Sequence, residues 1–490
     1  LAHLSSAPTI ALTEVTLASD NNIVAFNSLA GKAVGAITGQ LTDNNGQYLL
    51  ATTGGGVTQL VTSADDVITL AYGTTAADDA KITKLISNAQ INGTSTFTGG
   101  LTSVSAAQAT TIGSNTHLND QDSSGSSNNT STMTFTTDEA VSPTVAANLA
   151  SKGTAVYGSG LTGALADYSS ASTLVAAYDT ASTEDADVAV NITDTLSTTD
   201  HISALNRLAA ETTGNITATI TGTASVISGI SGISNKNTTV TVNDAISLSA
   251  YNTADATTSN AVQVTGSITD SLNNLYDASN GGGGSRDAVL NTAIAGDNNV
   301  NIIVSDSNIV SGSFGALNAI TGHGSHTGTI TATVTGTATD INDNLGGLSA
   351  TDVITFTVTG ATKANLANVD TKTDQVITVS DITDSFSNIT DVENDADLDL
   401  DNADITLSGT ISRSDYTTAD GYNSASGSVT FSTISDNYTN LNAMGSLLNG
   451  KTVTATGQLT IAELTQLQTY SAGSLSYNLT DSRSNLLAAS

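Results

Sequence analysis

The chain has 490 residues, with 45 acidic side chains against 12 basic ones, no Cys, no Trp and two Pro. A net charge of −33 excludes nucleic-acid partners and adhesion to anionic lipid, because both need clustered Lys and Arg. No stretch approaches 18 consecutive apolar residues, so no membrane-inserted helix is expected, and absence of Cys removes disulfides, thiolate metal sites and Cys nucleophiles together.

In chain order, weakly spaced units of β-branched alternation followed by apolar residues at helical spacing cover Val67–Ile86 and Thr132–Leu149. Between them Asn119–Ser131 has no apolar face and reads as a protruding loop. Clearer units follow. Val188, Val190 and Ile192 lead through Asp194 to Ile202, Leu205 and Leu208. Val262, Val264 and Ile268 lead through Asp270 to Leu272 and Leu275, and Ile377, Val379 and Ile382 lead through Asp384 to Phe386 and Ile389. The period-2 part predicts a strand and the spacing of three a helical turn or short helix. Asn280–Ser285 (NGGGGS) reads as a second loop, and weaker units extend over Val453–Leu467 and Leu475–Leu487.

Ile216–Ala224 and Ile330–Ala338 match at eight of nine positions, offset by 114 residues, and the ITDS segments at Ile268 and Ile382 share that offset. Four units fit in it, about 28 residues each, within the range of stacked repeat arrays. The predicted fold is all-β dominated: an elongated parallel β-solenoid-like repeat array with short helical turns. An irregular β-repeat region is expected over residues 1–186 and regular repeats over 187–490. A string of immunoglobulin-like sandwiches is disfavoured, because no buried Trp and no Pro-marked linkers are present.

Few constellations carry chemistry. His323 and His326 lie three apart in a Gly/Ser segment, too few ligands for a structural metal site. No nucleophile elbow, zinc-protease helix or phosphate loop occurs, and the chain is not expected to be an enzyme. The recurring Asp194, Asp270, Asp340 and Asp384 are expected to cap the next helical turn. The sharpest signal is acidic: seven carboxylates lie within residues 391–404 (DVENDADLDLDNAD). Period-2 spacing on a strand places Asp395, Asp397, Asp399 and Asp401 on one face, and Ca²⁺, with six to eight oxygen ligands, is the natural counter-ion. A solvated acidic face is the alternative.

These features together resemble bacterial surface-layer proteins and repeat-in-toxin-related secreted proteins, of the kind found on cyanobacterial and other marine cells: a long, Cys-free, Lys-poor chain with ITDS and TGTA units. The GGxGxD nonapeptide is absent, so no ligand residue carries over. The resemblance implies an extracellular structural protein, secreted or at the cell surface. It would be a subunit of a surface layer, sheath or filament that self-assembles as a homopolymer, in a Ca²⁺-dependent way, and contacts cell-surface polysaccharide. A carbohydrate-binding viral tail fibre or an adhesin stalk is the alternative.

Overall fold

The computed structural model describes residues 10–16, 37–42, 67–89, 94–120, 129–278, 285–322, 326–346, 348–349, 351–423 and 426–488. Strands and helices alternate along nearly all of this length. The chain divides into two compact units, one formed by Leu1–Asp244 with Ala250–Gln263 and the other by Ala245–Ser249 with Val264–Ser490.

In the first unit the strands Ile10–Thr16, Ile37–Thr42, Val67–Ala76 and Thr94–Val104 pair in chain order, all parallel. Thr94–Val104 pairs onward with Asn129–Ser131 and Thr134–Thr137, and the latter with Thr154–Tyr157. A second run takes Leu161–Gly163, Val190–Leu196, Ile216–Gly222 and Thr238–Val242, again parallel and in order. In the second unit, Ala245–Ile246, Ser267–Asp270, Asn301–Val304, Ile330–Thr337, Val353–Thr359, Ile377–Val379 and Leu398–Asp399 form one parallel sheet. Another holds Asp381–Ser385, Asp404–Ile411, Val429–Asp436, Thr452–Leu459 and Ser474–Leu479.

This alternation corrects the all-β, solenoid-like expectation: the protein is mixed α/β, with parallel strands joined through helices. Helices reach 13 residues at Thr199–Glu211, longer than the expected helical turn or short helix. The reason lies in how these helices are held. Ser, Thr, Asn and Asp have poor intrinsic helix propensity, so composition argues against helix. The same residues are strong N-caps, and reciprocal capping boxes open helices at Ser105/Gln108, Thr362/Asn365, Ser412/Asp415 and Thr460/Glu463. One apolar stripe per helix then does the rest. On Thr199–Glu211 it is Ile202, Leu205 and Leu208, all buried.

The strands supply the opposite wall of the core. Along Ile216–Gly222 the residues Ile216, Ala218 and Ile220 are buried while Thr217 and Thr219 face out. Two glycines reset this alternation. Gly409 and Gly457 take φ of +80° and +85°, where the pairing register shifts between Leu407 and Thr410 and between Thr454 and Gln458. Each is a bulge, and it turns Ile411 and Leu459 back into the core just ahead of the next helix cap.

The two segments read as loops are only partly so. Asn119–Asp120 and Asn129–Ser131 are short strands, and Ser285–Arg286 pairs antiparallel with Tyr276–Asp277 in a hairpin. Residues 121–128 and 279–284 lie outside the described residues.

Candidate functional site

The recurring aspartates bind across units. The first amide of a helix receives a carboxylate oxygen from the aspartate that ends the following strand region. Leu165 N–H donates to Asp194 at 2.7 Å, Ala224 N–H to Asp244 at 2.7 Å and Leu248 N–H to Asp270 at 3.1 Å. Leu272 N–H donates to Asp306 at 2.5 Å, Lys363 N–H to Asp384 at 3.0 Å, Arg413 N–H to Asp436 at 2.9 Å and Ile461 N–H to Asp481 at 3.0 Å. A carboxylate there satisfies an orphan donor and sits at the positive end of the helix dipole.

Four of these aspartates use their second oxygen at home. In the pattern Asp-[Ser/Asn]-x-x-Asn, Oδ1 accepts from the next backbone N–H and from the Asn side chain four residues on. This holds at Asp270 with Ser271 and Asn274, and at Asp384 with Ser385 and Asn388. It holds again at Asp436 with Asn437 and Asn440, and at Asp481 with Ser482 and Asn485. Partial burial alone would raise the Asp384 carboxyl. The hydrogen bonds from Asn388, Ser385 and Lys363, with the Lys363 ammonium, outweigh it and hold the group below the usual carboxylate range. Asp340 stands apart: it lies in the first turn of its own helix, where its N–H donates to Thr337 Oγ1 at 3.0 Å.

Buried cations perform the complementary task. Lys236, 2% exposed, donates to Thr212 O at 2.9 Å and Gly214 O at 2.6 Å, and burial pushes its ammonium down. Arg286, also 2% exposed, donates through Nη2 to Ile320 O at 2.6 Å.

The acidic segment departs from the strand expected of it. Asp395 and Asp397 lie in the turn after the helix Phe386–Glu393, Asp399 in the two-residue strand Leu398–Asp399, and Asp401 in the turn beyond. Asp397 N–H donates to Asp395 Oδ1 at 3.2 Å and Asp401 N–H to Asp399 Oδ1 at 2.9 Å, so the four form two local turns rather than one face. The crowding is nonetheless real. Glu393 is raised first by partial burial and then by Asp401 and Asp399, and Asp370 first by partial burial and then by Asp395 and Asp397. Among the described residues no three His, Asp or Glu gather as a group able to hold a metal ion. His326 Nε2 meets Val300 O at 2.7 Å, and His323 lies outside the described residues.

Sequence reasoning missed a cleft of about 310 Å³ in the second unit. It is lined by the helix Leu272–Leu275, by Tyr276 of the hairpin, and by the excursion from Asp306 to Ser313 that precedes the helix Phe314–Thr321. Ile309 of that excursion bridges to Val334 of the strand Ile330–Thr337, which fixes the cleft floor. The available signal was a broken pattern: Asp306 is followed by Ser-Asn-Ile-Val, so no Asn stands four residues on.

No helix among the described residues is long and apolar enough to cross a membrane. No family model matches the chain, and no curated protein matches it. Among solved structures the chain is similar to a plant peptide hormone receptor, RGFR1, in complex with RGF2. The match is at 10% identity and a TM-score of 0.17, covering 91% of this chain and 78% of that one.

Proposed function

We propose that the protein is an extracellular structural subunit that assembles with its own copies into a surface layer, sheath or filament. The observation that carries this reading is the edge strand Ser474–Leu479. Among the described residues it pairs on one side only, with Thr452–Leu459. Its Tyr477 and Leu479 are 41% and 38% exposed, and beside it Leu486 and Leu487 of the helix Arg483–Ala488 are 38% and 65% exposed. Internal units bury the equivalent surfaces against a neighbouring strand and helix. A parallel strand with one open edge, exposed Tyr and Leu side chains and no Lys or Pro on it is a template for another strand. A surface this acidic and this poor in Lys stays hydrated between such contacts.

Ca²⁺ enters the proposal between copies rather than inside one. Crowded carboxylates at exposed Asp395, Asp397 and Asp401 and half-buried Asp399 repel the like surface of a second copy, and a divalent cation shared across the contact relieves that repulsion. Static light scattering against concentration tests the reading. Growth in mass is expected for the natural chain, and Leu479→Lys, which places a charge on the edge, abolishes it. Equal growth in the variant would refute the edge as the contact.

A further inference from the structure

We infer that the cleft between Leu272, Tyr276 and the 306–313 excursion binds one ring of an uncharged saccharide. This goes beyond the assembly reading and stands without it, since a single free chain suffices. Asp306 is the distinctive group of this cleft. Its Oδ2 caps Leu272 N–H like the other ladder aspartates, but its Oδ1 accepts no hydrogen bond from the described residues. Asp194 and Asp244 also keep one oxygen without a hydrogen bond from the described residues, yet neither lines this cleft. Position 310, which an Asn would fill in the complete pattern, is a Val that is 52% exposed at the cleft rim.

Two further polar side chains of the cleft are similarly placed. The side chains of Asn273 and Asn308 line it and make no hydrogen bond with the described residues. Tyr276 is half-buried, and its ring is the aromatic member of the lining, beside the apolar Ile309 and Val310. One fixed carboxylate oxygen, two amides that both donate and accept, and an aromatic-apolar wall match the alternating hydroxyls and C–H face of a pyranose. The volume lies at the small end of ligand sites, which run about 300–1,000 Å³, so it suits one ring rather than a long chain. No Lys or Arg lines the cleft and Asp306 carries negative charge, which disfavours phosphates and uronic acids. A lone carboxylate is too few oxygens for Ca²⁺.

The rigid part of this site is already held. Asp306 is anchored through Oδ2, so its free oxygen needs no reorganisation to meet a hydroxyl, and the entropy cost of binding is correspondingly lower.

Saturation-transfer NMR on the whole chain with methyl β-D-glucopyranoside, methyl β-D-galactopyranoside, methyl α-D-mannopyranoside and N-acetyl-D-glucosamine tests the proposal, with D-galacturonate as the anionic comparison. At least one neutral sugar is expected to receive saturation and galacturonate none. Asp306→Asn keeps an oxygen for Leu272 N–H while turning the free acceptor into a donor, and is expected to weaken binding at least tenfold with little change in melting temperature. Should that variant fail to fold, Val310→Arg at the exposed rim is expected to block the cleft with the same loss. No transfer to any neutral sugar, equal binding by the folded variants, or preferential binding of galacturonate would overturn the inference. Light scattering of the same samples reads assembly separately, so a negative result in one assay is distinguishable from a negative in the other.

Discussion

Removing Asp384 tests the cross-unit ladder at its most connected point. The carboxylate accepts Lys363 N–H at 3.0 Å, Ser385 N–H at 2.7 Å and Asn388 Nδ2 at 2.7 Å. A hydrogen bond to a charged group is worth about 1.5–3 kcal/mol when buried, and Asp384 is half-buried, so about 1 kcal/mol each is the appropriate scale. Asp384→Ala is expected to cost about 3 kcal/mol locally, and Asp384→Asn, which keeps one acceptor for Lys363 N–H, about half of that. Because 1.4 kcal/mol is tenfold in an equilibrium, the alanine variant should speed amide exchange about a hundredfold where opening is local. Hydrogen-exchange mass spectrometry of peptides covering residues 360–390 reads this directly. The helix Lys363–Asp370 belongs to one unit of the ladder and Asp384 to the next, so both segments should lose protection together. Loss confined to the segment around Ser385, with Lys363 unchanged, would refute the claim that the aspartate holds the preceding helix.

Acidification should act in two opposed stages. Glu393 and Asp370 bind protons more readily in the folded chain than in the unfolded one, so lowering the pH through their raised values stabilises the region around them. Asp384 and Asp436 are held low, Asp436 against its partial burial by Arg413, Asn440 and Asn437, and their contribution is lost as the pH falls below about 4. A melting series from pH 7 to pH 3 should therefore rise and then fall; a monotonic decline would contradict the crowding of Glu393. Gly457→Ala meets nothing within 4 Å and has only its φ of +85° against it, so it should cost about 1–2 kcal/mol, seen as a lower denaturation midpoint. Lys236→Ala leaves Thr212 O and Gly214 O without their donor and should destabilise the first unit by about 1–3 kcal/mol, read by exchange at residues 212–240.

How much of this was legible depends on the kind of signal. Strands such as Ile216–Gly222 announce themselves, because Ile and Ala alternate with Thr and one face is buried. Helices such as Arg413–Tyr422 do not: RSDYTTADGY buries only Ala419 and is held by the reciprocal Ser412–Asp415 cap and by Asp436 of the next unit. A periodicity argument sees no apolar stripe there, and composition argues against helix, which is why an all-β reading followed. Asp194, Asp270 and Asp384 were expected to cap the next helical turn, yet the helix amide each accepts lies 21 to 29 residues earlier in the chain, a distance that local pattern reading does not span. The 391–404 segment misled through its period-2 charges. Asp395 and Asp399 each fold back onto the amide two residues on, and turn formation overrides alternation in a stretch with so few apolar residues. The cleft was invisible because it arises from where the ladder pattern is incomplete, at Asp306, and from an excursion whose place is set by long-range pairing to Val334.

Assembly is the central claim, and negative-stain microscopy of the purified chain in millimolar Ca²⁺, repeated with chelator and with Leu479→Lys, tests it most directly. The account predicts ordered filaments or sheets with Ca²⁺, their loss on chelation, and single particles from the variant under both conditions. Single particles of the natural chain at high concentration with Ca²⁺ would contradict it.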